Sequence, residues 1–186
     1  MSRLEAAWFR LPPKAVYSGL TAAWLHGLDV DPCDPIEVTV PKELGVTTRS
    51  GMLVRRCALD ADEVVALRGF HTTSTLRLLL DISSRLALTE AVVVIDQALH
   101  TKLVMPEELN LALERYDGRW GIKRLRRAAA HAEPATESPM ETRLRMLLVL
   151  AGLPRPEAPV TLHDGSGKFP RPLRPLLPVR STGPRI

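Results

Sequence analysis

The stretch Glu137–Pro154, ESPMETRLRMLLVLAGLP, reads as one complete helix with both ends marked, and the rest of the chain divides around it. Ser138 offers an N-cap hydroxyl, Pro139 takes the first helical position, where a missing N–H costs nothing, and Glu141 stands at the S-x-x-E spacing of a capping box. Met140, Leu144, Leu147, Leu148 and Ala151 recur at three- and four-residue spacing and make one apolar stripe, while Arg143 and Arg145 project elsewhere. Gly152 suits the residue that closes the helix and Pro154 blocks its continuation. Such a stripe has to be covered, by the sheet of a following unit or by helices that precede it.

Upstream of this helix the chain reads as a finished unit over residues 1–134. Leu4, Ala7, Trp8 and Leu11 space a short amphipathic helix that Pro12 and Pro13 end. In VYSGLTAAWLHGLDV, Ser18 or Thr21 caps a brief helix burying Ala22, Ala23, Trp24 and Leu25, with Gly27 closing it. His26, at the end of that helix with no second ligand near, reads as a capping or packed residue rather than a metal ligand. IEVTV, Ile36–Val40, alternates like a strand, and MLVRRCAL, Met52–Leu59, reads as a second strand able to pair with it.

From Thr73 the helical period takes over. Ser74 caps a helix carrying Leu76, Leu79, Leu80 and Ile82, with Arg77 and Asp81 an i,i+4 pair on it. Thr89 and Glu90 open the next helix, and Pro106 at its first position opens a third. Asp96, alone in the run AVVVIDQALH, predicts a hydrogen bond to a neighbouring helix or loop, because no partner carboxylate stands at helical spacing. A fourth helix follows Gly118 and Gly121. On it Arg119, Lys123, Arg126 and Arg127 form a basic stripe opposite Ile122, Leu125 and Ala129, readable as a solvated face or as a contact to DNA phosphates. His131–Thr136 is a polar linker that sets a boundary near residue 135.

Downstream, Val160–His163 has the look of a strand and Asp164-Gly165 of a hairpin turn, the start of a second, mixed unit over residues 135–169. Residues 168–186 then change character, with five prolines in nineteen residues and five basic residues without an acid. Residues 170–186 read as a disordered or polyproline-like tail. Setting those five charges aside leaves 20 basic against 21 acidic residues, so the net charge of +4 belongs to the tail. Cys33 and Cys57 show neither disulfide nor zinc spacing and suit a reducing cytosol. No apolar run reaches the ~18–20 residues of a membrane span, and Glu5 interrupts any signal-type core. The expected architecture is α+β: a mainly helical domain with a small β-hairpin or sheet, then one helix and a strand of an incomplete unit.

Two families share these patterns. VYSGLTAAWLHGLDV, TTSTLRLLLDIS and AVVVIDQALH resemble the C-terminal domain of AbiEi-type antitoxins over roughly residues 14–131. Ser18, Ala22, Ala23, His26 and Gly27 carry the first motif, Ser74, Arg77 and Asp81 the second, and Asp96, Ala98 and Leu99 the third; the position after Arg77, often Thr in that family, is Leu78. The resemblance implies an antitoxin or transcriptional regulator, with DNA and a nucleotidyltransferase-like toxin as partners. About a dozen residues precede the match, fewer than the winged helix that binds the operator in such proteins. On this reading Arg119, Lys123, Arg126, Arg127, Arg143 and Arg145 are the candidate nucleic-acid contacts.

ESPMETRLRMLLVLAGLPRP resembles the opening helix of very-short-patch-repair-like endonucleases of the PD-(D/E)xK class, a type that follows antitoxin-like regions in actinobacterial proteins. Glu141 matches that family's helix carboxylate, a catalytic and metal-binding position that works with Mg²⁺ in an intact homologue. The strand bearing the metal Asp, the E-Y-D-G strand and the later His are not found here, which implies a truncated, catalytically inactive relative in which Glu141 is a relic and no cofactor is held. Shifting a GC-rich back-translation of LRPLLPVR by one base yields S-D-L-Y-Y-P-S, close to the expected strand, so a frameshift would account for the tail; the nucleotide sequence past codon 169 tests this.

Overall fold

The computed structural model describes residues 3–30, 34–45 and 51–155. The expected strand at Val160–His163, its turn at Asp164-Gly165, the proline-rich tail and Cys33 lie outside the described residues. Helices α1 (Arg3–Trp8), α2 (Gly19–Leu25), α3 (Thr75–Ser83), α4 (Leu88–His100), α5 (Pro106–Arg115), α6 (Ile122–Ala129) and α7 (Pro139–Leu150) accompany strands β1 (Val16–Tyr17), β2 (Ile36–Val40), β3 (Met52–Arg56), β4 (Val64–Leu67) and β5 (Phe70–Thr73). Among these residues no helix is long and apolar enough to cross a membrane.

The strands form one five-stranded mixed sheet ordered β3-β2-β1-β5-β4, larger than the hairpin or small sheet expected. β2 and β3 do pair, but in parallel, with Ile36 opposite Met52 and Val40 opposite Arg56. Strands consecutive in sequence and parallel in space require a crossover, not a tight turn. The hairpin that does exist is β4–β5, antiparallel through Arg68-Gly69, whose φ values of 52° and 82° suit a type I′ turn. Along β2 the period of two separates the environments. Ile36 and Val38 enter an apolar cluster with Leu4, Tyr17, Leu25 and Met52, whereas the Glu37 N–H and the Thr39 hydroxyl donate to Thr21 and Ser18. α1 closes that cluster: Trp8 lies 5.4 Å from the Tyr17 ring and 5.5 Å from Phe70, and the Tyr17 hydroxyl donates to the Leu4 carbonyl at 2.7 Å. Trp24, expected inside, is half-buried beneath the Arg68 guanidinium at 5.6 Å.

The larger core is helical and centred on α4. Ala91, Val92, Val94, Ile95, Ala98 and Leu99 are all buried in it, so α4 is apolar nearly all round and has neighbours on every side. It begins at Leu88, with Ala87 rather than Thr89 at the cap position. Ser74 and Pro106 mark the starts of α3 and α5 as expected.

α7 departs from expectation in its orientation. Its ends are as read, with the Ser138 hydroxyl accepting from the Glu141 N–H at 3.3 Å, Pro139 as its first residue and Gly152 following in the left-handed region at φ 76°, but the capping box is only half made: the Glu141 carboxylate accepts from the Glu137 N–H and not from that of Ser138. Its faces are reversed. Met140, Leu144 and Leu147 are 69%, 54% and 65% exposed, while the buried residues are Thr142, Arg145 and Met146. The physical reason is a buried acid on α4. Asp96 draws Thr142 and Arg145 inward, and that fixes the leucines outward.

Candidate functional site

Behind the molecule's basic surface lies a buried network of ionised side chains. Arg77 projects from the first turn of α3 and donates to Glu63 Oε2 at 3.0 Å, to Asp81 Oδ1 at 3.1 Å and to Cys57 Sγ at 3.4 Å. Burial works to lower the Arg77 guanidinium, but Asp81, Cys57 and Glu63 outweigh it and hold it above its ordinary value. Burial pushes the Asp81 carboxyl up against the pull of Arg77. Arg119, from the corner between α5 and α6, donates to Glu63 Oε1 and to Asp60 Oδ2, each at 2.5 Å, and lies 5.1 Å above the Tyr116 ring. Burial beside Glu63 pushes the Tyr116 phenol up to about 12. Glu63, 1% exposed, therefore ties the 3-10 turn at Ala61–Glu63 both to α3 and to the α5–α6 corner.

A second carboxylate does the same on the other side. Glu37 on β2 accepts from Arg85 and Arg55 and from the Leu20 N–H at the start of α2. Gly19, at φ +56°, is required there, because a Cβ would lie 2.2 Å from Glu37 Oε2 and 2.6 Å from Arg85. His26 is packed as expected: its ring meets the Thr73 carbonyl at 2.8 Å and burial lowers it.

The basic surface itself is α6 with the corner before it. Ile122, Leu125 and Ala128 are buried, and Lys123, Arg124, Arg126 and Arg127 stand outward. Gly121 opens the helix at φ +92°, where a Cβ would meet the Ser84 side chain at 2.6 Å. Arg126 is tied to Asp117 Oδ1 and the Leu113 carbonyl, both at 2.9 Å, and Arg124 donates to the Ser84 carbonyl at 2.9 Å. Among the described residues, Lys123, Arg124 and Arg127 enter no ion pair. An open groove of about 590 Å³ runs along this corner, lined by Arg119, Trp120, Lys123, Arg124 and Arg126 with Asp117 at its edge. Trp120 is 74% exposed.

The remaining candidates sit elsewhere. Arg145 is buried against α4, donating to Asp96 Oδ2 and to the His131 carbonyl at 2.5 Å each, so its guanidinium is not on the surface. Asp96 also accepts from the Glu133 N–H and the Thr142 hydroxyl, both at 2.7 Å; burial pushes its carboxyl up in spite of these donors. Arg143 makes a two-pronged pair with Glu90 at 2.9 and 2.8 Å, which holds the Glu90 carboxyl below its ordinary value. Glu141 is exposed and accepts from the Glu137 N–H at 3.0 Å, one residue before the cap. Among the described residues no group of three or more His, Cys, Asp or Glu could hold a metal, and Glu141 stands there as a capping carboxylate. Trp120 and Arg124 were not singled out by helical spacing. The signal that marks them is local: residues 118–131 hold five basic side chains, no acid and one tryptophan between two glycines.

Residues 15–128 match the family described as the AbiEi antitoxin C-terminal domain, more than half of the 186-residue chain. The chain belongs to that family. The AbiEi-type match starts just before β1 and ends within α6, so the sheet, the Glu37 and Glu63 networks and the basic corner all fall inside it, while Glu141, Arg143 and Arg145 of α7 lie beyond. Two uncharacterized proteins of Mycobacterium tuberculosis, from strains CDC 1551 / Oshkosh and H37Rv, are each 27% identical over 151 residues, covering 80% of this chain and 54% of the relative. The chain thus spans about half the length of these relatives. No solved structure matches it.

Proposed function

We propose that the chain is an antitoxin-type regulatory module that binds nucleic acid through the outer face of α6. The observation that carries this reading is the division of labour among the cations. Arg119 and Arg126 are anchored by acids, whereas Lys123 and Arg127, with Arg124 held only by the Ser84 carbonyl, enter no ion pair among the described residues, on a helix that contains no acid. Phosphate contact by such side chains releases counterions, so the binding constant should fall with salt at a slope near −0.9 for each phosphate neutralised. Titrating labelled duplex DNA from upstream of the gene measures that slope. Lys123→Ala and Arg127→Ala should each reduce it by about one, whereas Arg143→Ala should leave it unchanged. Absence of binding at low salt would remove the reading. The antitoxin half rests on family membership, and co-purification with a nucleotidyltransferase-like toxin tests it.

A second reading concerns α7, whose leucine face turns away from the AbiEi-type domain. We infer that α7 joins this domain to a unit of the very-short-patch-repair-like endonuclease type, and that the 186-residue chain by itself does not cleave DNA. Its resemblance to that family's opening helix and the exposed Met140, Leu144 and Leu147 support the inference. Incubation with plasmid and Mg²⁺ should give no nicking. Cleavage that Glu141→Ala abolishes would overturn it.

A further inference from the structure

Trp120 is not explained by phosphate contact. It is 74% exposed, and among the described residues no ring or guanidinium stacks on it. An indole left open to water forgoes burial of a large apolar face, yet its setting is firmly built. Arg119 on one side is bonded to Asp60 and Glu63, and Gly121 on the other packs against Ser84, with Gly118 and Gly121 both in the left-handed region at φ 74° and 92°. The next residue, Ile122, is buried. The backbone carrying the ring is therefore held before any ligand arrives.

Around the ring runs the open groove of about 590 Å³, and its rim carries Lys123 and Arg124. Lys123 and Arg127 are one helical turn apart, about 6 Å along the axis, in line with the backbone of an extended strand. A flat aromatic face beside fixed cations suits a base that can leave its stack. Within a duplex the base faces are already occupied by their neighbours, whereas an unpaired base stacks on aromatic side chains while its phosphates meet Lys and Arg.

We propose that the α5–α6 corner is a single-strand site in which Trp120 stacks on an unpaired nucleobase and Lys123, Arg124 and Arg127 hold the flanking phosphates. This rests on the nucleic-acid reading above and narrows its ligand to single-stranded DNA or RNA.

The test titrates the full chain with oligothymidylate, oligouridylate and a DNA duplex of the same length, following tryptophan fluorescence and the anisotropy of a labelled strand. Both single strands should quench the fluorescence, and at least one should bind more tightly than the duplex; the tighter of the two names the source. Trp120→Ala should remove the quenching and weaken single-strand binding by about 5- to 150-fold, with the salt slope unchanged, and Trp120→Phe should restore most of the loss. Because the ring is exposed, the thermal midpoint of Trp120→Ala should match the parent, which separates lost stacking from lost folding. Duplex binding as tight as that of both single strands, or single-strand binding unaltered by Trp120→Ala, overturns the stacking site and leaves the phosphate reading in place. No binding of any strand at low salt overturns both.

Discussion

α6 and α7 lean on the same central helix, α4, and present opposite chemistry to it. α6 puts Ile122, Leu125 and Ala128 inward and four cations outward, as a helix at the rim of a domain should. α7 puts Thr142 and Arg145 inward beside the fully buried Met146 and leaves Met140, Leu144 and Leu147 in contact with solvent. One is a finished surface. The other is a helix with two interfaces, held on its polar side by an acid of the AbiEi-type domain and apolar on the side where a further layer would pack. A hydrophobic stripe states which face avoids water, and a buried charge on a neighbour can still decide which face docks.

The largest test of this contrast removes the acid. Asp96→Ala leaves Arg145 buried at 8% exposure without its carboxylate, and breaking a buried pair from one side costs about 3–5 kcal/mol. Urea denaturation should show that loss, and amide exchange should place much of it in α7. A cost below about 1 kcal/mol would mean that α7 is not held by its polar face. Replacing both partners, Asp96→Leu with Arg145→Met, should recover most of the stability, since an apolar pair of similar volume avoids the desolvation of two ions.

A second, somewhat smaller effect compares one leucine from each helix. Leu125→Ala on α6 truncates a side chain that is 1% exposed and should cost about 2–5 kcal/mol. Leu144→Ala on α7 should fall within about 0.5 kcal/mol of the parent, because little is removed from the core. Equal costs would show that the outer face of α7 is covered in the folded chain, for instance by a second copy, which the sedimentation of the parent would reveal.

What could be read from sequence alone divides along the same line. Both caps of α7 and the i,i+4 pairing of Arg77 with Asp81 were legible because they are local, set by residues within one or two turns. The hydrogen-bonded role of Asp96 was legible too, since an acid inside an apolar helix demands donors, but Glu133, Thr142 and Arg145 lie 37, 46 and 49 residues away and no spacing rule names them. Glu63 was missed for the same reason: its partners Arg77 and Arg119 come from other elements. The β4–β5 hairpin escaped because Arg68-Gly69 is a less marked turn pair than Asn-Gly or Asp-Gly, and because Val64–Leu67 does not alternate. The basic stripe was visible as a set of charges. That Arg119 and Arg126 are tied down while Lys123 and Arg127 are not is a property of the fold around them.

The smallest effect concerns the outer ion pair of α7 and sharpens the contrast with its inner one. Arg143 and Glu90 are 44% and 40% exposed, so the pair contributes no more than about 1 kcal/mol. Arg143 holds the Glu90 carboxyl below its ordinary value, so the unfolded chain takes up this proton first as the solution is acidified. The contribution is complete above the ordinary glutamate value of about 4.5 and is lost as pH falls through the lower folded value. Asp96 has the opposite sign. Burial raises its carboxyl, so the folded chain binds that proton more tightly than the unfolded one, and between the ordinary aspartate value and the raised one acidification favours the fold. Urea midpoints of the parent and of Glu90→Gln should therefore differ slightly at neutral pH and converge once acidification has passed the lowered folded value of Glu90, since only the parent has this pair to lose. A gap that persists in acid would show that Glu90 stabilises α7 by packing and not by charge, which would make the outer contact of the helix resemble its inner one.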